Sequence, residues 1–255
     1  MKKTLLKLTG SICLFLAFSC VDDRAMEDPF SGERAARLGV GQLANQLLAG
    51  DRFTRMEIEL VFMTGFQPTN FMLGEMITFL QNHVNKPDGI IFRQKEISAI
   101  GQRNYTIADI RELEETHRER YNERGIFTVF LLVVDGYFSQ DDEESFALGA
   151  AYNSSSMVLF GPRIVENSGG FRRPPLTILE TTVALHELGH LMGLVNNGTD
   201  MVHEHEDDEY ESHCDNERCL MYWAVETNRG LNLMGNTVPE LDENCRKDIL
   251  ANGGK

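Results

Sequence analysis

Two histidines four residues apart, with a glutamate directly after the first, carry the strongest chemical signal in the chain. They are His186, Glu187 and His190, in the stretch HELGHLMGLVNNG. On a helix, positions i and i+4 lie one turn apart on one face, so the two imidazoles can grip a single ion. Glu187 is displaced round the helix, where its carboxylate reaches water at the ion without having to bind the ion itself. Zinc lowers the pKa of such water to about 7, and a nearby carboxylate can take the proton and pass it to a leaving amine. The spacing HExxH also arises by chance. Here the case is stronger, because five of the seven histidines fall between His186 and His213, and the motif ends a helical pattern that follows several strands.

Gly193 extends the match to HExxHxxG, which resembles the metzincin clan of zinc peptidases. In that clan the glycine lets the chain leave the helix sharply, and a third ligand three residues later swings back to the metal. This chain has Asn196 at that place. A neutral amide is a poor zinc ligand beside imidazole, thiolate or carboxylate, so Asn196 is expected to turn the chain with Asn197 and Gly198 instead. Further on, HCDNERCLM (His213 to Met221) has the pattern HCx4CxM, which resembles the segment that follows directly in archaemetzincins. The resemblance implies His213 as third ligand, delayed by an insertion of 17 residues, with Met221 as an apolar floor under the imidazoles. His205 and then His203 rank behind it, and a loop glutamate, Glu209 or Glu211, behind those. All four lie in or beside the acidic run HEHEDDEYE, whose carboxylates are also candidates for a second cation. Tyr222 and Trp223, just past Met221, read as packing residues.

Archaemetzincins carry a later CxxC pair that completes a structural zinc site with the two cysteines of this segment. Only Cys245 stands in that part of this chain. With the second pair incomplete and an oxidising compartment expected, Cys214 and Cys219 are read as a disulfide that pins the loop.

The elements that must position these groups follow from periodicity. Arg34 to Gly50 has the pattern of a leading amphipathic helix. Met56 to Phe66 and Gly89 to Ser98 read as strands, Thr69 to Asn85 and Thr106 to Gly125 as amphipathic helices. Ile126 to Phe138 is apolar almost throughout, the mark of a strand buried on both faces. Phe146 to Pro162 offers two short strands around a serine-rich turn, and Pro174 to Leu194 is the motif helix. Val238 to Gly253 closes the chain as a helix after a loop-rich stretch. The order implies an α/β (or α+β) zincin-like fold, a mixed twisted sheet backed by helices, with a loop-rich C-terminal subdomain. The resemblance further implies that substrate peptides add to a sheet edge above the metal, and Phe146 to Tyr152 is the candidate edge strand.

The first twenty residues, MKKTLLKLTGSICLFLAFSC, have a basic start, a short apolar run and a small residue before Cys20, the layout of a secretory signal. LAFSC resembles a bacterial lipobox, which implies lipid on Cys20 and export to the outer membrane, cell surface or periplasmic face. Residues 21–50 then form a polar tether and leading helix, and 51–255 the metzincin-like domain. A net charge of −15 argues against nucleic-acid partners, which require clustered Lys and Arg. The expected activity is zinc-dependent peptide hydrolysis with Glu187 as general base and acid, acting on peptide or protein substrates. The alternative is an inactive surface binding or adhesion lipoprotein on the same scaffold.

Overall fold

A segment such as Ile126–Val134 has no polar face to offer water, and in the computed structural model it lies at the centre of a sheet. The structure describes residues 28–142, 146–170, 173–226 and 236–255. The expected signal peptide, Cys20 and the tether up to residue 27 lie outside the described residues. In chain order the elements are α1 (Gly32–Ala36), α2 (Ala44–Leu48), β1 (Arg55–Met63), α3 (Asn70–His83), β2 (Ile90–Ile97) and β3 (Asn104–Tyr105). They continue with α4 (Ile107–His117), β4 (Ile126–Val134), β5 (Tyr137–Phe138), β6 (Gly149–Asn153), β7 (Ser156–Phe160) and α5 (Gly161–Glu166). Last come α6 (Leu176–Leu191), a 3₁₀ turn at Trp223–Glu226 and α7 (Glu243–Ala251).

The main sheet has the order β2-β1-β4-β7-β6. Its first four strands are parallel, and β6 runs antiparallel to β7 at the edge. It is the expected mixed sheet backed by helices, with the candidate edge strand in its expected place. Parallel neighbours need crossover connections, and α3 and α4 supply them. Because successive side chains alternate, one set on β1 and β4 (Ile58, Leu60, Val129, Leu131) clusters with apolar residues of α3 and α6. The other set (Val61, Met63, Phe130, Leu132) clusters with Tyr105 and with Ile110 of α4. The helices α3 and α6 are joined where they meet the sheet: Thr69, the N-cap of α3, donates both its N–H and its hydroxyl to the carboxylate of Glu180 on α6.

The stretch Arg34 to Gly50 is two short helices rather than one. Gly41, with φ +75°, lies between them. A Cβ there would fall 1.5 Å from the carbonyl oxygen of Asn197, and one at Gly198 (φ +115°) would fall 2.4 Å from the Gly41 carbonyl. The two backbones therefore cross in direct contact, which only glycine permits. The apolar residues of the segment, Ala35, Leu43, Leu47 and Leu48, belong to the main core. At the other end of the chain, the tail beyond α7 fastens onto this same region. Asn45 donates to the Asn252 carbonyl, Asn85 to the Gly253 carbonyl, and the Lys255 N–H to the His83 carbonyl.

The serine-rich turn between β6 and β7 is buried, and its hydroxyls are used. Ser154 donates to the Ala35 carbonyl; Ser155 and Ser156 accept from Arg118, and Ser156 also donates to Glu114. Arg118 pairs with Glu114 at 2.6 Å with both side chains almost fully enclosed. Breaking a buried pair leaves an uncompensated charge, so Arg118→Ala is expected to lower unfolding stability by about 3–5 kcal/mol, read from denaturant midpoints. Among the described residues no helix is long and apolar enough to cross a membrane.

Candidate metal centre

The helix α6 begins after Pro174 and Pro175 and is buried at every position from Ile178 to Leu191. It passes through the core and delivers the motif at its C-terminal end. Gly193, with φ +71°, ends it: its N–H bonds to the His190 carbonyl, and the next N–H, of Leu194, returns to the Gly189 carbonyl. A Cβ at Gly193 would lie 2.8 Å from both the Thr199 nitrogen and the Ala44 Cβ. Val195 and Asn196 follow in the left-handed region, so the chain does turn at Asn196 as expected. The Asn196 amide donates to Glu206, away from the histidines.

The Nε2 atoms of His186 and His190 are 3.1 Å apart. His213 completes the group: its ring centroid lies 5.3 Å from that of His186 and 5.0 Å from that of His190, and one nitrogen of each ring lies within 4.8 Å of the others. Zinc bonds of about 2.0–2.1 Å would place tetrahedral ligand nitrogens about 3.3–3.4 Å apart, close to the His186–His190 spacing. Tautomers are set from behind. His186 Nδ1 lies 2.7 Å from the Leu220 carbonyl and His213 Nδ1 lies 2.9 Å from the Glu211 carbonyl. A carbonyl only accepts, so both Nδ1 atoms carry hydrogen and both Nε2 atoms keep a lone pair for a metal. The donor set fits zinc.

Two close approaches shape the floor and wall of this group. A Cβ at Gly189, between the two helical histidines, would fall 2.2 Å from the sulfur of Met221, so Met221 packs directly on the backbone of α6. A Cβ at Gly149 would fall 2.8 Å from Glu187 Oε1 and 2.9 Å from Val183 Cγ1. The buried carboxylate of Glu187 thus occupies the space that a side chain on the edge strand β6 would need. Met221 thus stands where the resemblance implies an apolar floor, whereas the Gly149–Glu187 contact had no signal in the sequence beyond the small-residue run Gly149–Ala151.

The expected disulfide is absent. Cys214, Cys219 and Cys245 are free thiols, all buried. The Sγ atoms of Cys219 and Cys245 are 3.6 Å apart, far beyond the roughly 2.05 Å of a disulfide bond. Two cysteines five residues apart say nothing of where a third folds in, and Cys245, on the first turn of α7, arrives beside Cys219. His205 also comes here rather than to the motif histidines: its Nδ1 is 3.4 Å from Cys214 Sγ. Together His205, Cys214, Asp242 and Cys245 form a second group whose donor atoms lie within 4.8 Å of one another. Cys219 is pulled down to about 4 by hydrogen bonds from the Cys214 and Cys245 thiols and from the Asp242 and Met221 N–H groups. Hydrogen bonding to Cys219 pushes the Cys214 thiol up, and hydrogen bonding to Cys214 and Cys219 pushes the Cys245 thiol up. The cation expected from the carboxylates of the acidic run finds no such grouping there: among the described residues its glutamates and aspartates join neither group, and His203 is exposed. Instead the run folds on itself and onto Trp223, whose ring stacks on Tyr210 at 3.9 Å and 7°.

A mixed sheet of this order, with a buried HExxH helix and a loop histidine brought back beside it, is an archaemetzincin-like α/β fold. Among solved structures, the chain is similar to archaemetzincin from Methanopyrus kandleri, with 15% identity, a TM-score of 0.52, and 79% of this chain covering 97% of that one. It also aligns with metalloproteinase-II from Bacteroides fragilis at 15% identity, a TM-score of 0.43, and 81% of this chain covering 55% of that one. No protein-family profile matches the sequence, and no curated protein does.

Proposed function

We propose that the protein is a zinc-dependent peptidase, exported and held at a membrane by lipid on Cys20. The observation that carries the reading is the convergence of three histidine nitrogens, two with tautomers fixed for ligation, beside the buried carboxylate of Glu187. Zinc, when bound by His186, His190 and His213, supplies a Lewis acid for the scissile carbonyl and water acidified to a pKa of about 7. Glu187 takes the water's proton and returns it to the leaving nitrogen. Its burial keeps it in one place and raises the strength of its electrostatic effects. The edge strand β6 lies against Glu187, so a peptide adding to that edge would pass its carbonyl close to the base. Export and anchoring rest on the signal-like residues 1–20 and the LAFSC ending.

The test is digestion of a mixed peptide library by the protein lacking residues 1–20, with and without a chelator. Chelator-sensitive cleavage restored by zinc supports the reading. Absence of cleavage by zinc-loaded protein moves it to the inactive binding scaffold. Gly149→Ala provides a finer check. The added methyl displaces the Glu187 carboxylate, and a shift of about 1 Å is enough to cost on the order of 10²-fold in turnover. Zinc content is expected to stay unchanged in that variant, measured by elemental analysis beside peptide kinetics.

A further inference from the structure

We propose that Glu206 is the positioning residue for the third ligand: its carboxylate ties the turn that ends α6, at Asn196, to the backbone that carries His213, at Ser212. The inference rests on the metal-ligating part of the proposed function and is independent of peptide hydrolysis.

Six carboxylates crowd into the run from His203 to Glu211. Glu204, Asp208, Glu209 and Glu211 are exposed, as like charges are expected to be, and only Glu206 and Asp207 are partly buried. Both are used as acceptors. Asp207 Oδ1 accepts the Glu209 and Tyr210 N–H groups at 2.9 and 3.1 Å. Glu206 Oε1 accepts the Ser212 N–H at 2.6 Å, and its Oε2 accepts from the Asn196 amide at 3.3 Å. Hydrogen bonds onto an ionised acceptor are roughly twice as strong as neutral ones.

Ser212 adjoins His213 and has φ +63°, a left-handed conformation that a residue with a side chain keeps only when its surroundings hold it there. The short bond from its N–H to Glu206 is such a hold. Further bonds fix His213 within the loop. Its N–H donates to the Tyr210 carbonyl, its Nδ1–H to the Glu211 carbonyl, and its own carbonyl accepts the Asp207 N–H.

A ligand delivered by a loop must also be held to within about 0.5 Å of its partners, here the two histidines on α6. On the far side of His213 the tie is backbone: the Cys214 N–H donates to the Met221 carbonyl, next to the Leu220 carbonyl that accepts from His186. On the near side the tie is Glu206, bonded to the turn at Asn196, which itself lies at φ +60°. The position at which the resemblance calls for a ligand is thereby reused. Asn196 anchors the residue that sets the backbone of the replacement ligand.

The test measures zinc affinity by competition with a chelator of known affinity, the motif ion being the one that His213→Ala loses. Glu206→Ala is expected to weaken that ion about 10-fold, as removal of a ligand's support does. Glu206→Gln keeps an oxygen for the Ser212 N–H and offers its amide to a flipped Asn196, so its affinity should stay close to that of the unmodified protein. Asn196→Asp, a residue tolerated in the left-handed region, sets two carboxylates against each other and should weaken the ion. Adding Glu206→Gln to it should restore the affinity, a result available even if Glu206→Ala fails to fold. Glu204→Gln removes one exposed charge of the same run and should change nothing, which separates positioning from net charge. Glu206→Ala no weaker than Glu204→Gln, Glu206→Gln as weak as Glu206→Ala, or no rescue in the double variant would overturn the inference and leave the metal site standing. An unmodified protein from which His213→Ala removes no ion would overturn the metal reading, and the inference with it.

Discussion

The Glu187→Gln protein is expected to retain its zinc and its fold while hydrolysing peptides roughly 10²–10⁴-fold more slowly. Glutamine preserves the shape of the buried side chain beside Gly149 and Val183, so packing is kept. What it loses is the ability to accept a proton. The measurement is kcat and KM on a peptide found in the library digest, with zinc content in parallel. A fall in kcat with KM and zinc steady places the defect in proton transfer. Loss of zinc would assign Glu187 to the metal's support, and unchanged kcat would remove it from the chemistry.

Replacing His213 with alanine should act on the other half of the site. Mutating a group that merely supports a ligand weakens metal binding about 10–100-fold, so removing the ligand itself is expected to cost more than about 100-fold. His186 and His190 would then hold the ion alone, and competition with a chelator of known affinity would show the loss. Activity should disappear with the metal. His205→Ala, by contrast, should leave the motif ion with its three ligands, because His205 faces the thiols and Asp248. If His205→Ala abolished the motif ion and His213→Ala did not, the assignment of the two loop histidines would have to be exchanged.

The motif helix was legible because its information is local. HExxH places groups by helical spacing alone, and Gly193 marks the exit by its tolerance of positive φ. The sheet was legible for a similar reason: strands buried on both faces announce themselves by composition. His213 could be reached only through the pattern HCx4CxM, since nothing in the local sequence tells which of several loop histidines returns to the helix. Tertiary choices were not legible at all. The partner of Cys219 depends on where α7 docks, far along the chain, and two nearby cysteines suggested a bond that the fold does not make. The break of the leading segment at Gly41 likewise has its cause at Asn197 and Gly198, more than 150 residues away. The same is true of Gly149, whose lack of a side chain acquires meaning only when Glu187 arrives against it.

The tail beyond α7 bears on the order in which the chain can fold. Residues 252–255 bond to α2, to the loop after α3 and to the end of α3, all made more than 150 residues earlier. Loop-closure entropy must be overcome before such remote contacts contribute anything, which slows assembly. A chain without residues 252–255 therefore holds α2 and the end of α3 unsealed. A variant lacking residues 252–255 should be cut by added protease at Asn45 to Gly50 faster than the chain that keeps them.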